Sequence, residues 1–277
     1  MGFLKDAPFV LLCKLFRRRV VIHQHNKGMS MYVDKQPYKW LLPLVYRNTK
    51  VILLSWHLYP DIEKVVKKGQ VLICPNGIPE VFDAEPHFER NNKAPQLLFL
   101  SNLIPSKGVY VLLDACKILK EKGYKFLCNF VGGESKEITK EVFEKAVEER
   151  GLEDIVKYNG PKFGEGKKEF FANSDIFVFP TFYFNECFPL VILESMQYKL
   201  PIITSDEGGI PDIVTNGKNG FVCERKNTDS TVDAIAKVLD CKELRVKMGE
   251  DGYKQFQEHF TLDVFNRNIT RILKEII

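Results

Sequence analysis

Two carboxylates with seven residues between them, Glu186 and Glu194, and a lysine set before a glycine, Lys107-Gly108, are the groups best placed for chemistry. Glu186 follows the apolar run Asp175-Ile-Phe-Val-Phe-Pro180. Glu194 lies inside Pro189-Leu-Val-Ile-Leu-Glu194, ahead of a second apolar run, Pro201-Ile-Ile-Thr-Ser205. Run, helix and run make a β-loop-α-β unit, the building block of a parallel sheet. Such sheets bind ligands outside the carboxyl ends of their strands, so the spacing predicts that Glu186 faces a crevice. Pro189 suits a first helical position, and the amides around Phe188, Leu190 and Val191 suit a phosphate. Glu194 then stands ~7 Å along the helix. Each acid also has a plainer reading: Glu194 as a solvated helix residue, Glu186 as a cap on the helix macrodipole.

Other candidates follow other strands. Lys107 sits in Asn102-Leu-Ile-Pro-Ser-Lys107-Gly108 after the run Gln96–Ser101, and Gly132-Gly133 follows Phe126–Val131. Gly160-Pro161-Lys162 follows Ile155–Asn159, and His25 ends Val20–His25, with His23 on the same face by alternation. On the residues alone, Lys107 also fits a solvated helix start, the glycines fit plain turns, and His25 fits a core or capping histidine.

The elements that would position these groups alternate strand and helix along the chain. Helices are expected at 7–16, 37–46, 60–67, 136–150, 229–239, 242–259 and 262–277, with one opening at Gly108 and another at Pro189. Strands before residue 80 are expected at 20–25, 51–55 and 71–74. With 277 residues, 45% of them hydrophobic, the chain can bury one large core or two modest ones. No apolar run reaches the ~20 residues needed to cross a bilayer. A cytoplasmic protein is expected; Arg17-Arg18-Arg19 beside Phe9, Leu11, Leu12, Leu15 and Phe16 could touch anionic lipid, though a core helix with a solvated basic end is the preferred reading. Seven cysteines show no metal-ligand spacing and most of them, inside apolar runs, read as reduced core thiols, and a net charge of +4 with no recognition motif gives no reason to expect nucleic acid.

The order Glu186-Cys187-Phe188-Pro189-Leu190, Glu194-Ser-Met, Leu200-Pro201, Gly208-Gly209-Ile-Pro211-Asp212 and Asn219-Gly220 resembles the retaining GT-B glycosyltransferases of family 4 (glycosyl transferases group 1). The turn Pro75-Asn76-Gly77 is similar to the one that closes their first domain. This resemblance implies an α/β, GT-B-like fold: one complete doubly wound parallel-sheet domain preceded by a partial Rossmann-like domain. It divides the chain into an acceptor-side part (1–92), a nucleotide-sugar domain (93–260) and a helix crossing back (261–277). It also implies catalytic roles for Glu186, Lys107 and His25. Donor contacts are implied for Asn102, Lys107, Gly132, Gly133, Gly160, Glu186, Cys187, Phe188, Pro189, Leu190 and Glu194.

Two positions depart from the family. Asn102 stands where an arginine is usual, which loads phosphate neutralisation on Lys107, and Lys199 replaces a glycine. If Lys199 is left-handed, that costs ~1 kcal/mol. The first domain lacks its opening strands and glycine-rich turn, so an amino-terminally truncated domain is expected. The implied reaction moves a sugar from a UDP- or GDP-sugar to a glycan or lipid-linked acceptor, with retention and with neither cofactor nor metal. A nucleotide-binding module that has lost catalysis, or an epimerase of the same architecture, fits the same residues.

Overall fold

The computed structural model describes residues 3–81 and 94–276. The linker expected at Asp83–Pro95 and the boundary at 92/93 fall outside the described residues, apart from Ala94 and Pro95.

The first sheet has three parallel strands, β1 (Val21–Gln24), β2 (Lys50–Leu53) and β3 (Val71–Ile73), in the order β1-β2-β3. Helices α1 (Phe3–Leu15) and α2 (Tyr38–Tyr46) precede β1 and β2. Val51, Ile52 and Leu53 are buried along the middle strand, as expected where both faces of a parallel sheet are covered. No α-helix forms at 60–67. A 3-10 helix, Trp56–Asp61, forms ahead of it, with the Ser55 hydroxyl accepting from His57 N at 2.9 Å. Asp61 ends that turn, and its carboxylate bonds another loop, described below.

The second sheet is six-stranded and parallel: β4 (Gln96–Leu100), β5 (Leu127–Val131), β6 (Val156–Tyr158), β7 (Ile176–Phe179), β8 (Ile202–Ser205) and β9 (Gly220–Cys223). Its order is β6-β5-β4-β7-β8-β9. The chain winds outward from β4 to β6, returns to the centre at β7, and winds the other way. That reversal between β4 and β7 is where a crevice opens at the carboxyl ends of such a sheet. Between the strands run α3 (Val109–Glu121), α4 (Lys140–Glu148), α5 (Glu165–Asn173) and α6 (Leu190–Gln197). After β9 come α7 (Thr228–Asp240), α8 (Lys242–His259) and α9 (Leu262–Ile276). Phe99, Phe130, Phe177 and Phe179 pack through the centre, with the Phe99 and Phe130 rings 5.0 Å apart.

Helix α9 lies on the first sheet. Ile272 is buried with Ile52 and Cys74, and Phe265 and Ile269 pack beside them. The strand-like exchange of Ile78 N to Phe260 O (3.0 Å) and Leu262 N to Ile78 O (2.8 Å) fixes that return. Gly77 is needed here for a reason other than a positive φ: a Cβ on it would meet Thr261 O at 2.3 Å. Lys199 is left-handed, with φ 52°, and its ammonium pairs with Glu250 at 2.9 Å and sits over the Tyr253 ring, which offsets part of the strain. Among the described residues, no helix is long and apolar enough to cross a membrane.

Candidate functional site

Lys107 and Glu186 meet at the β4/β7 reversal. Lys107 comes from the 3-10 turn Pro105–Lys107 after β4, and Glu186 from the loop after β7. Phe182 N donates to Ser106 O at 2.8 Å and ties the two loops together. The Lys107 ammonium then reaches Glu186 Oε2 at 2.7 Å, and both side chains are mostly buried. Tyr183 and Phe179 present their rings to the ammonium, with centroids at 4.5 and 5.5 Å. Cation, carboxylate and ring faces inside a low-dielectric cleft interact more strongly than they would in water. An ammonium carries three N–H donors, so Lys107 can hold Glu186 and an anionic oxygen at once.

A second group of predicted residues converges at the ends of β4, β5 and β6. Asn102 Oδ1 accepts from Gly133 N at 3.1 Å, and Leu103 N donates to Gly133 O at 2.7 Å. Gly132 N donates to Gly160 O at 3.0 Å, while its own carbonyl accepts from the Tyr158 hydroxyl at 2.9 Å. Gly132 has φ 153°, and a Cβ there would lie 1.9 Å from Ser101 O, so only glycine fits. Asn102 therefore serves as a latch between two strand ends.

Glu194 stands apart from the Lys107–Glu186 pair. It sits on α6 and pairs with Lys167 of α5 at 2.5 Å, both side chains partly exposed. Pro189 precedes the helix, which starts one residue later than the expected first position, at Leu190. Leu190 is exposed, whereas Cys187 and Phe188 are buried, Phe188 against the edge of Phe260. Burial first, and then the Glu186 and Asp61 carboxylates, push the Cys187 thiol up to about 12, so it is no nucleophile near neutral pH. The Cys187 carbonyl is occupied by Gly209 N at 2.7 Å, which docks the turn after β8 under the loop.

His25 lies just beyond β1 and is exposed; His23, inside β1, is its ring neighbour with centroids 4.1 Å apart. Burial lowers both, His23 to about 4, with His25 as the next cause. Both are neutral at pH 7. They line a cavity of about 560 Å³ with Tyr38, Asn26, Tyr183 and Asn185, so this face of the first sheet opens toward the loop that carries Glu186.

Several functional candidates were not anticipated from sequence. Thr181, fully buried, donates to Glu186 Oε2 at 3.4 Å. Asp61 accepts from Gly28 N, Met29 N and Ser30 N at 2.9–3.0 Å and from the Ser30 hydroxyl at 2.7 Å, fixing the loop after β1. That loop carries Lys27, whose ammonium bonds the buried Glu207 after β8; Arg225 bonds the other Glu207 oxygen at 3.0 Å. A carboxylate directly before the Gly208-Gly209 turn, after a buried strand, was the one local signal for Glu207. Among the described residues, no three His, Cys, Asp or Glu side chains come together as a metal site.

Comparisons with known proteins agree with this architecture. Residues 82–255, more than half of the chain, match the family described as glycosyl transferases group 1. An amylovoran biosynthesis glycosyltransferase of Erwinia amylovora is 29% identical over 86% of this chain and 57% of its own length. A D-inositol 3-phosphate glycosyltransferase of Corynebacterium glutamicum is 30% identical over 56% of the chain and 37% of its own length. The chain thus spans about half the length of these curated relatives. The structure of Anabaena HepE in complex with UDP superposes with a TM-score of 0.85 at 18% identity, covering 97% of this chain and 76% of that one. The chain belongs to the glycosyl transferases group 1 family, and its two parallel sheets have the GT-B architecture.

Proposed function

We propose that the chain transfers a sugar from a UDP- or GDP-sugar to a glycan or lipid-linked acceptor in the synthesis of a surface polysaccharide. The observation that carries this reading is the 2.7 Å Lys107–Glu186 pair at the β4/β7 reversal of a glycosyltransferase-family sheet. Lys107 neutralises the departing diphosphate, a role that needs no metal, and the amides at the start of α6 add partial positive charge. Glu186 is held by Lys107 and Thr181, so its second oxygen accepts from donor-sugar hydroxyls. Glu194 accepts from the ribose after exchanging its bond to Lys167. His25, neutral and exposed, faces the transferred sugar from the first sheet. Retention follows if attack and departure share one face, with Lys107 assisting the leaving group. On this reading 93–260 hold the donor, 1–92 the acceptor side, and the site works in the cytoplasm.

Incubating the chain with a panel of UDP- and GDP-sugars and oligosaccharide or lipid-linked acceptors, with mass spectrometry of products, is the test. A glycosylated product from one donor supports the proposal. Nucleotide binding with no transfer to any acceptor makes the chain a binding module, and no nucleotide binding overturns the reading.

A further inference from the structure

The turn that follows β8, Glu207-Gly208-Gly209-Ile-Pro-Asp212, touches both faces of the cleft. On one side it supports the loop of Glu186. A Cβ on Gly208 would lie 2.2 Å from Glu186 O, and Gly209 N donates to Cys187 O at 2.7 Å. Gly208 also has φ 59°, so both the close approach and the left-handed backbone call for glycine. On the other side the turn meets the first sheet at three points. Lys27, in the loop after β1, bonds Glu207; a Cβ on Gly209 would lie 3.0 Å from the Cβ of Ser55, which follows β2; and His57 Nε2 stands 3.4 Å from Asp212 Oδ1.

Glu207 makes the most deeply buried of these contacts, with 3% of its side chain exposed. Both its oxygens are engaged. Oε1 takes the Lys27 ammonium and Gly208 N, the latter at 3.2 Å, and Oε2 takes Arg225 Nη1 at 3.0 Å. Arg225 is itself anchored on Asp206, at 2.6 Å to the carboxylate and 3.0 Å to the carbonyl. A buried ion pair is a poor source of net stability, since desolvation offsets the attraction, and an apolar side chain would fill the same place. What Glu207 adds is a fixed position for Lys27. That lysine stands two residues from His25, and both line the cavity of about 560 Å³ that opens toward the Glu186 loop. Its ammonium also lies 4.8 Å from the ring centroid of Phe184 in that loop. Asp61 holds the next residues, Gly28 to Ser30, and β1 ends at Gln24. Between those two anchors, the Lys27–Glu207 bond ties the chain to the donor sheet.

We propose that Glu207 is a positioning residue for sugar transfer: acting through Lys27, it sets the loop that carries His25 at a fixed place against the loop that carries Glu186. The inference rests on the transferase reading above. Glu207 itself touches no reacting atom. Its effect is on the spacing of the two loops, where misplacement by ~1 Å costs about a hundredfold in rate. Nucleotide binding is independent of it, because Lys107, Glu186 and Glu194 all belong to the donor sheet and its helices.

The test compares Glu207→Gln, Lys27→Met and Lys27→Arg in the full chain by three measurements. These are calorimetry with UDP and GDP, transfer kinetics on the donor and acceptor that the parent uses, and hydrogen exchange of the amides of 25–28. Glu207→Gln and Lys27→Met should each lower kcat roughly ten- to a hundredfold and speed exchange at 25–28, while nucleotide affinity stays within about twofold. Lys27→Arg keeps a cation within reach of Glu207 and should recover most of kcat. The double variant Lys27→Met with Glu207→Gln should be no slower than either single one, because both remove the same bond. Parental kcat and exchange in the single variants overturn the proposal. So does an equal loss of nucleotide affinity, which makes Glu207 a structural residue of the donor sheet. A parent that binds nucleotide but transfers to no acceptor overturns the transferase reading and this role with it, whereas a transferring parent with unaltered variants overturns this inference alone.

Discussion

The β4/β7 reversal and the carboxyl end of β1 face the same cleft but are built differently. At the reversal the charged groups are already partnered, Lys107 by Glu186 and Glu186 by Thr181 as well, and beside it the uncharged Asn102 is bonded to Gly133. The adjoining loops at the ends of β4, β5 and β6 are stapled by backbone bonds that leave no room for a Cβ at Gly132. At β1 the ring nitrogen Nε2 of His23 is buried without a hydrogen bond and His25 is exposed over the cavity. Order there comes from outside, through Asp61 gripping the loop and Lys27 reaching across to Glu207. One side is thus preorganised for a defined anion. The other is held in place by two carboxylates and leaves His25 exposed over the cavity.

Substitutions can break that contrast from either side. Gly132→Ala should have the largest effect, a loss of at least ~3 kcal/mol together with nucleotide binding, because its Cβ would collide with a strand-end carbonyl. Chemical denaturation and nucleotide titration check both. Asp61→Ala should cost about 2–3 kcal/mol by freeing three backbone amides, yet leave nucleotide affinity within about twofold while transfer falls. A parallel loss of nucleotide affinity would mean that the two sides are not separable. Glu194→Gln should weaken nucleotides by roughly ten- to a hundredfold with the fold intact, the worth of a charge-assisted bond. Unchanged affinity in calorimetry returns Glu194 to a surface pair with Lys167.

The smallest effect concerns pH. His23 titrates near 4 when folded, below the 6.5 of a free histidine, so the unfolded chain binds more protons between those values. Stability from this group is whole above pH 6.5 and is lost as pH falls toward 4, on the order of 1–2 kcal/mol once partial exposure is allowed for. Urea midpoints for the parent and His23→Gln at pH 7.5 and 5 should converge at the lower pH. An unchanged gap would remove His23 as the cause.

How much of this was legible in the chain depends on how local the cause is. Buried parallel strands read as apolar runs, Gly132 directly follows one, and Lys107 and Glu186 lie in the loops after two others, so the donor side stood out. Helix α5 did not. Its segment Glu-Gly-Lys-Lys-Glu-Phe-Phe-Ala-Asn starts after Gly164 with no side-chain cap, and so Lys167, the partner of Glu194, went unseen. In place of the helix expected at 60–67 stands a 3-10 turn ending at Asp61, whose carboxylate serves the loop at Gly28–Ser30, about thirty residues earlier. Lys27 and Glu207 are 180 residues apart, and no periodicity announces such a pair.

The most direct test of the central claim is calorimetry of Lys107→Ala against UDP and GDP and against the bare nucleosides. Lys107 is the side-chain cation of the β4 turn, and Asn102 brings no charge to replace it. The account predicts that diphosphate affinity falls by roughly ten- to a hundredfold while nucleoside affinity holds. Equal losses for diphosphate and nucleoside, or no loss for either, would mean that the Lys107–Glu186 pair does not meet the donor phosphates.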